Sequence, residues 1–519
     1  DTAAYAGFSG TRPYPQGPYS GGLAAWPACG GQDRRCSYIE YSQGCSQGER
    51  REDDRDGQVE RLHRFPSKDL IHAARFAKTY CFIWDIFVVF PARSSDLPDA
   101  SDIGIEQMSK VVPGKTPQVS HRNTSTMIDL ASSSFEHAHY QGVMAVYATP
   151  SHDRLVHIQP GDQAVTDFVR CSYLGLDNHP DILDGAHKAI ANSRAFHWSC
   201  ARTRLNFDIL GQLERQLSDL FKARVLTFTT VLAANMSALP ILASGHLTGG
   251  KKPLVVFDRL AHATLAFHKP VVAQDTEVAT IPHNDMAALE ALCRSHRPIA
   301  YVCDGVYSMG GNAPIDELLR LQERYGLFLY IDDAHGISIH GDNGSGFARS
   351  AIPDLGERTI VAASLGKGFG ASGGILMLGT AAQELLFRRF AIAHAFSASL
   401  TTAAIGAALA SAAIHASPEL SLRQQKLRRN LELLDGRLKS SGQSSTLPIR
   451  TVRFGDEMIA VAAARELLQR GFYTSAIFFP TVARGEAGLR ICLTSAHSSQ
   501  DIDALCDAIE EIKAEIDSN

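Results

Sequence analysis

The 519-residue sequence lacks any apolar run long enough to span a membrane. The nearest, at 80–91 (YCFIWDIFVVFP), is short and carries Asp85. It also lacks a charge excess. A net charge of -5 and a pI near 6.5 give no electrostatic case for binding nucleic acid. It lacks a CxxC pair. Its 10 cysteines, without metal-ligand spacing, point to reduced thiols rather than a disulfide frame, and no metal site is expected. The beginning of the chain lacks the basic, apolar, small-residue order of a signal peptide. What remains is the expectation of a cytoplasmic enzyme. The 45% apolar and 20% charged content is ordinary for a folded chain of this size.

Residues 1–126 differ from the rest. The opening is rich in Gly, Pro, Ser and Tyr and has no period, and 49–64 (ERREDDRDGQVERLHR) mixes both charge signs densely. Neither stretch buries enough apolar surface to fold alone. The expectation is a disordered or non-native extension, with Met127 as a plausible start.

From about residue 170, helix and strand signals alternate. The run 171–176 (CSYLGL) reads as a short strand and turn, followed by a helix near 180–191. Leu210, Leu213, Leu217 and Leu220 recur at helical spacing in 210–221. A strand at 224–230 opens into a helix at Val231-Leu232-Ala233. A strand feeding a helix start is an anion site, because the first backbone N–H groups are unpaired. Short apolar runs follow at 254–258, 299–304, 327–332, 359–363 and 374–378, with helices such as 314–325 between them. Near-continuous apolar strands separated by helices predict an α/β fold with a mostly parallel central sheet covered by helices. Past residue 396 the chain becomes Ala-rich and helical. A smaller α+β unit follows, with a strand at 449–454, a helix at 457–470 closed by Gly471, and a last helix near 501–516 capped by Ser498 or Ser499. The expected organisation is an N-terminal segment at 127–170, a large domain at 171–395 and a small C-terminal domain at 396–519.

The stretch 364–370 (SLGKGFG) sets a lysine between glycines just past an apolar strand. Lysine is usually a surface residue. A lysine held off solvent has a lowered pKa and can form a Schiff base. That chemistry suggests pyridoxal phosphate, whose ring nitrogen needs an acid and whose phosphate needs N–H and hydroxyl groups. In sheets of this kind ligands bind at the carboxyl ends of strands. Asp304, Asp332, His335 and Lys367 all follow predicted strands and can converge. Asp332 in IDDAHG suits the ring nitrogen, and His335 can reach the phenolic oxygen. Thr230, the amides of Val231 and Leu232, and Ser364 can take the phosphate, and His262 could lie on the ring face. Each residue also has a plainer reading: Thr230 as a helix cap, Asp332 as half of an N-cap pair, His262 as a core histidine.

Three motifs sharpen the choice. DGVYSMGG at 304–311, IDDAHG at 331–336 and SLGKGFGASGG at 364–374 resemble the α-oxoamine synthase family. YLGL with a following HP at 173–180, AAN at 233–235, LAHATL at 260–265 and LRICLTSAH at 489–497 agree in the same order. The resemblance runs from about Tyr173 to the end. It implies a pyridoxal-phosphate enzyme of fold type I that acts as a homodimer, with active sites at the subunit interface. Members include 8-amino-7-oxononanoate synthases, 2-amino-3-ketobutyrate CoA ligases and aminoketone autoinducer synthases. They condense an amino acid with an acyl-CoA, usually with loss of CO2. By this resemblance Lys367 would anchor the cofactor and take the Cα proton, Asp332 would pair the ring nitrogen, His335 the phenolic oxygen, and His262 would stack on the ring. Ser308 would lie near the cofactor oxygen, and Arg490 would grip the amino-acid carboxylate. The chain departs from the family at Cys171, where Asn is common, at 199–206 (SCARTRLN), which replaces a Gly-rich segment, and at Val231 and Leu232. Two alternatives stand beside this reading: another fold type I reaction, such as amino transfer or side-chain cleavage, and a non-catalytic subunit, against which the presence of Lys367 argues.

Overall fold

A computed structural model describes residues 124–443 and 445–518. The expectations for residues 1–123, including the run at 80–91, lie outside the described residues. Helix Thr124–Tyr140 opens the described chain and contains Met127.

Seven strands form the central sheet. In chain order they are β1 (Arg224–Phe228), β2 (Leu254–Asp258), β3 (Val278–Ile281), β4 (Ile299–Asp304), β5 (Phe328–Asp332), β6 (Thr359–Ser364) and β7 (Gly374–Leu378). Their spatial order is β1-β7-β6-β5-β4-β2-β3. Every neighbouring pair is parallel except the two made by β7. Every residue of β2, β4, β5, β6 and β7 is buried, because helices cover both faces. One face packs on Leu210, Leu213, Leu217, Leu289 and Leu318, the other on Ala238, Leu239, Leu242 and Leu265. This double coverage is why these strands read as continuous apolar runs rather than alternating ones.

The register brings the acids together. Asp332 at the end of β5 lies beside Asp304 at the end of β4, and Ser364 closes β6 next to them. Of the short strand and turn expected at 171–176, only the turn forms. The Gly175 N–H donates to the Ser172 carbonyl, and the Tyr173 carbonyl accepts from the Ser495 N–H, so the segment pairs with a loop and builds no ladder. The strand expected at 224–230 stops at Phe228 because Thr230 already caps the next helix.

Three antiparallel strands at Tyr147–Pro150, Leu155–Gln159 and Gln163–Asp167 were not expected. The last pairs with Phe472–Tyr473, a partner far along the chain. The C-terminal sheet holds β8 (Ile449–Gly455), β9 (Ser475–Ile477) and β10 (Ala487–Cys492), with β10 in the middle. Helices Glu457–Gln469 and Ser499–Ser518 bury Val461, Leu467, Leu505 and Ile509 in the same core as Leu489 and Ile491. Among the described residues no helix is long and apolar enough to cross a membrane.

Candidate active site

The lysine turn follows β6 and is held by the bond from Leu365 N–H to the Gly373 carbonyl. Gly370 has φ +75, and a Cβ there would meet the Leu176 Cβ at 2.3 Å. Only glycine lets this turn rest directly on the 171–176 turn. Lys367 Nζ sits 2.8 Å from His335 Nε2, and His335 Nδ1 lies 2.7 Å from the Tyr173 hydroxyl. Burial lowers the Lys367 pKa below its ordinary value, while Asp332, Cys171 and Asp304 pull it upward. Burial also pushes the His335 pKa well down, helped by the neighbouring Lys367.

Asp332 is fixed from two sides. Its Oδ1 accepts from the Ala334 N–H at 3.0 Å, and its Oδ2 accepts from Asn235 Nδ2 at 2.9 Å. Asn235 is fully buried and uses all its polar atoms. Nδ2 also donates to Thr264 Oγ1 at 3.2 Å, and Oδ1 accepts from the Tyr330 hydroxyl at 2.7 Å. Thr264 Oγ1 lies 2.9 Å from His262 Nδ1, so one hydrogen-bonded path runs from Asp332 to His262. The His262 N–H donates to Asp304 Oδ1 at 3.1 Å. Partial burial lowers the His262 pKa, with Asp332 opposing and Lys367 reinforcing the shift.

Helix Val231–Ala243 starts beside these groups. Thr230 Oγ1 accepts from the Ala233 N–H at 3.1 Å, so the plainer reading of Thr230 as a cap holds. The Val231 and Leu232 N–H groups belong to the first turn, whose donors have no intrahelical acceptor. A Cβ on Gly374 would meet the Val231 nitrogen at 2.4 Å, so glycine at the start of β7 is what permits this helix end to sit so close. Ser364 Oγ is turned to the lysine loop, accepting from the Gly366 N–H at 3.2 Å.

Arg490 projects from β10, opposite Thr451 and Ser475. Its Nη2 donates to Cys171 Sγ at 3.6 Å. The adjoining Cys492 thiol and the Arg490 guanidinium hold the Cys171 thiol below its ordinary pKa, against burial. Ser308 follows strand Val306–Tyr307 and lines a hollow of about 100 Å³ with Leu447 and Thr451. Among the described residues it makes no hydrogen bond to Lys367, His335 or Asp332.

Lys367, His335, Asp332 and His262 therefore form one cluster, with the open helix start and the Arg490–Cys171 pair at its edges. Sequence reasoning missed Tyr173, Asn235, Thr264 and Tyr330 as parts of it. Tyr330 carried a signal, since residues two apart on a strand share a face, and Tyr330 precedes Asp332 by two. A larger hollow of about 890 Å³ lies elsewhere, lined by Arg202, Glu214, Arg224, Glu384 and Arg388. The arginines and glutamates named are paired with one another. Arg202 pairs with Glu214 at 2.6 Å, Arg388 with Glu214 at 2.9 Å, and Arg224 with Glu384 at 2.8 Å. Size alone thus points away from the chemistry.

Residues 172–509 match the model of the family described as aminotransferase class I and II. The 8-amino-7-oxononanoate synthase of Marinomonas sp. (strain MWYL1) is 30% identical over 394 residues, covering 74% of this chain and 94% of the relative. That of Maricaulis maris is 34% identical over 354 residues, covering 66% and 84%. The chain belongs to the aminotransferase class I and II family, in its α-oxoamine synthase branch. Solved structures agree on the family's fold. A serine palmitoyltransferase from S. paucimobilis with bound PLP–myriocin superposes with a TM-score of 0.67 at 20% identity, over 76% of this chain and 99% of that one. The 8-amino-7-oxononanoate synthase from Francisella tularensis gives 0.56 at 20% identity, over 68% and 99%. The match spans the stretch that carries Lys367, Asp332 and Arg490, and it begins one residue after Cys171.

Proposed function

We infer that this chain is a pyridoxal-phosphate-dependent acyltransferase that condenses an amino acid with an acyl-CoA to give an α-aminoketone and free CoA. The observation that carries this reading is the cluster at adjacent strand ends: Lys367 against His335, with Asp332 locked by Asn235 beside them. The curated relatives are named as 8-amino-7-oxononanoate synthases, which does not favour the aminotransferase or lyase alternative.

The residues fit the cofactor. A buried carboxylate with both oxygens fixed suits a ring nitrogen, the open helix start suits a phosphate, and an amine of lowered pKa suits Schiff-base formation. Bound there, pyridoxal phosphate supplies the electron sink that makes an amino acid's Cα–H acidic. Lys367 anchors it and takes the Cα proton. Asp332 holds the ring nitrogen, His335 the phenolic oxygen, and His262 covers the ring face. Val231, Leu232, Thr230 and Ser364 hold the phosphate, and Ser308 lies toward the cofactor's oxygen. Arg490 grips the amino-acid carboxylate, for which a planar guanidinium is suited. On this assignment Arg490→Gln raises KM for the amino acid about 10- to 100-fold, with a smaller change in kcat, because a charge-assisted hydrogen bond is lost from the bound substrate. Steady-state kinetics with the amino acid varied checks it.

The working unit proposed is a cytoplasmic homodimer with its sites at the interface. Leu232, Met236, Phe267, Val271, Ile392 and Phe396 are exposed on, or just past the ends of, helix Val231–Ala243 and the helices that pack against it, with Phe267 and Phe396 at 73% and 84% exposure. An apolar patch of this kind marks a protein interface. Replacing Phe267 and Phe396 together by Glu is expected to yield monomer in sedimentation and to lower activity; an unchanged mass would remove this patch from the interface.

Mass spectrometry of products from a matrix of amino acids and acyl-CoA thioesters tests the function. An aminoketone from at least one pair supports it, and its mass separates a biotin-pathway product from an autoinducer-type one. Keto acid with no CoA release would favour amino transfer instead.

A further inference from the structure

Tyr173 has no role in the function proposed for this cluster, yet it touches the centre of it. It is fully buried, and its hydroxyl lies 2.7 Å from His335 Nδ1. Burial raises its pKa well above the ordinary value, so the hydroxyl keeps its proton. The charged and titratable groups facing Tyr173 are Cys171, Cys492 and Arg490. Those facing His335 are Lys367, Arg490 and His262. Arg490 has no acceptor atom, and it occupies the Cys171 sulfur at 3.6 Å. The Cys171 sulfur also faces the hydroxyl, but the acceptor set at hydrogen-bond distance from it, 2.7 Å, is the imidazole nitrogen.

A neutral imidazole carries one N–H and one lone pair, and the partner of one nitrogen decides which is which. His335 is only 6% exposed and is held neutral by burial beside Lys367. If Nδ1 accepts from Tyr173, the proton sits on Nε2, and Nε2 is the atom 2.8 Å from Lys367 Nζ.

We propose that Tyr173 is a positioning residue: by donating to His335 Nδ1 it fixes the tautomer that presents an N–H from Nε2 to Lys367 and to the cofactor atom beside it. The proposal rests on the pyridoxal-phosphate reading. Tyr173→Phe removes the donor and leaves the ring in place. His335 then spreads over both tautomers, and the N–H offered to the cofactor weakens.

The test is a pH titration of the visible band of the lysine-linked cofactor in the holoenzyme. In Tyr173→Phe the midpoint is expected to move upward by about one unit, the scale of a weakened hydrogen bond to a charged group. In His335→Gln the midpoint moves as well. In the double variant Tyr173→Phe adds nothing further, because the tyrosine acts through the histidine. A merely structural tyrosine would change the amount of folded protein and not the midpoint. Superposable titrations of wild type and Tyr173→Phe would overturn the proposal, and so would additive shifts in the double variant. Absence of the visible band in wild type would instead overturn the cofactor reading on which it rests, so the two failures are distinguishable.

Discussion

Lys367→Ala is expected to abolish the visible absorbance of bound cofactor and to lower CoA release by about 10⁴-fold or more. Two functions rest on this amine. The proposed function gives it the covalent link and the removal of the Cα proton. The structure supplies the conditions for both. The turn at Gly370 rests the lysine loop against Leu176, and burial holds the amine below its ordinary pKa. The side chain is partly buried and points at His335 rather than packing in the core, so alanine leaves the fold intact. Absorbance spectroscopy and a thiol assay on purified variant check the two losses separately. A retained visible band would assign the link to another amine.

Asp332→Ala is expected to lower kcat by about 10³-fold and to destabilise the fold by about 1–3 kcal/mol. The first effect follows from removing the acid proposed to face the ring nitrogen. The second has a different origin. Asn235 is fully buried and gives one amide hydrogen to Asp332 and the other to Thr264. Truncating Asp332 strands a buried donor, and such a group costs more than the bond it made. Chemical denaturation and steady-state kinetics measure the two effects. Loss of stability with normal kcat would confine Asp332 to a structural role.

Much of the cluster was legible because its members end strands. Asp332, His335 and Lys367 each follow an apolar run, and parallel neighbours bring such ends to one edge of a sheet. The helix start at Val231 was legible for the same reason. Tyr173 and Asn235 were not. Their partners lie 162 and 97 positions away, and neither spacing nor period reports a contact of that separation. Both sit inside motifs that marked the family without saying why those residues are there. Arg490 came from resemblance alone, since a mid-strand arginine has no local signature; the structure sets it against Cys171. The strands between residues 147 and 167 escaped because the first is fully exposed and the last has one of its two neighbours, Phe472–Tyr473, far along the chain. The strand part of 171–176 was misread because its apolar residues are buried in the core without pairing in a ladder, the Tyr173 carbonyl bonding a loop residue, Ser495, instead.

The most direct measurement is release of free CoA by the holoenzyme across a panel of amino acids and acyl-CoA thioesters, compared with Lys367→Ala. Release is expected from at least one pair, matched one-to-one by an aminoketone and absent in the variant. Release from no pair, or release that survives Lys367→Ala, would contradict the proposed function.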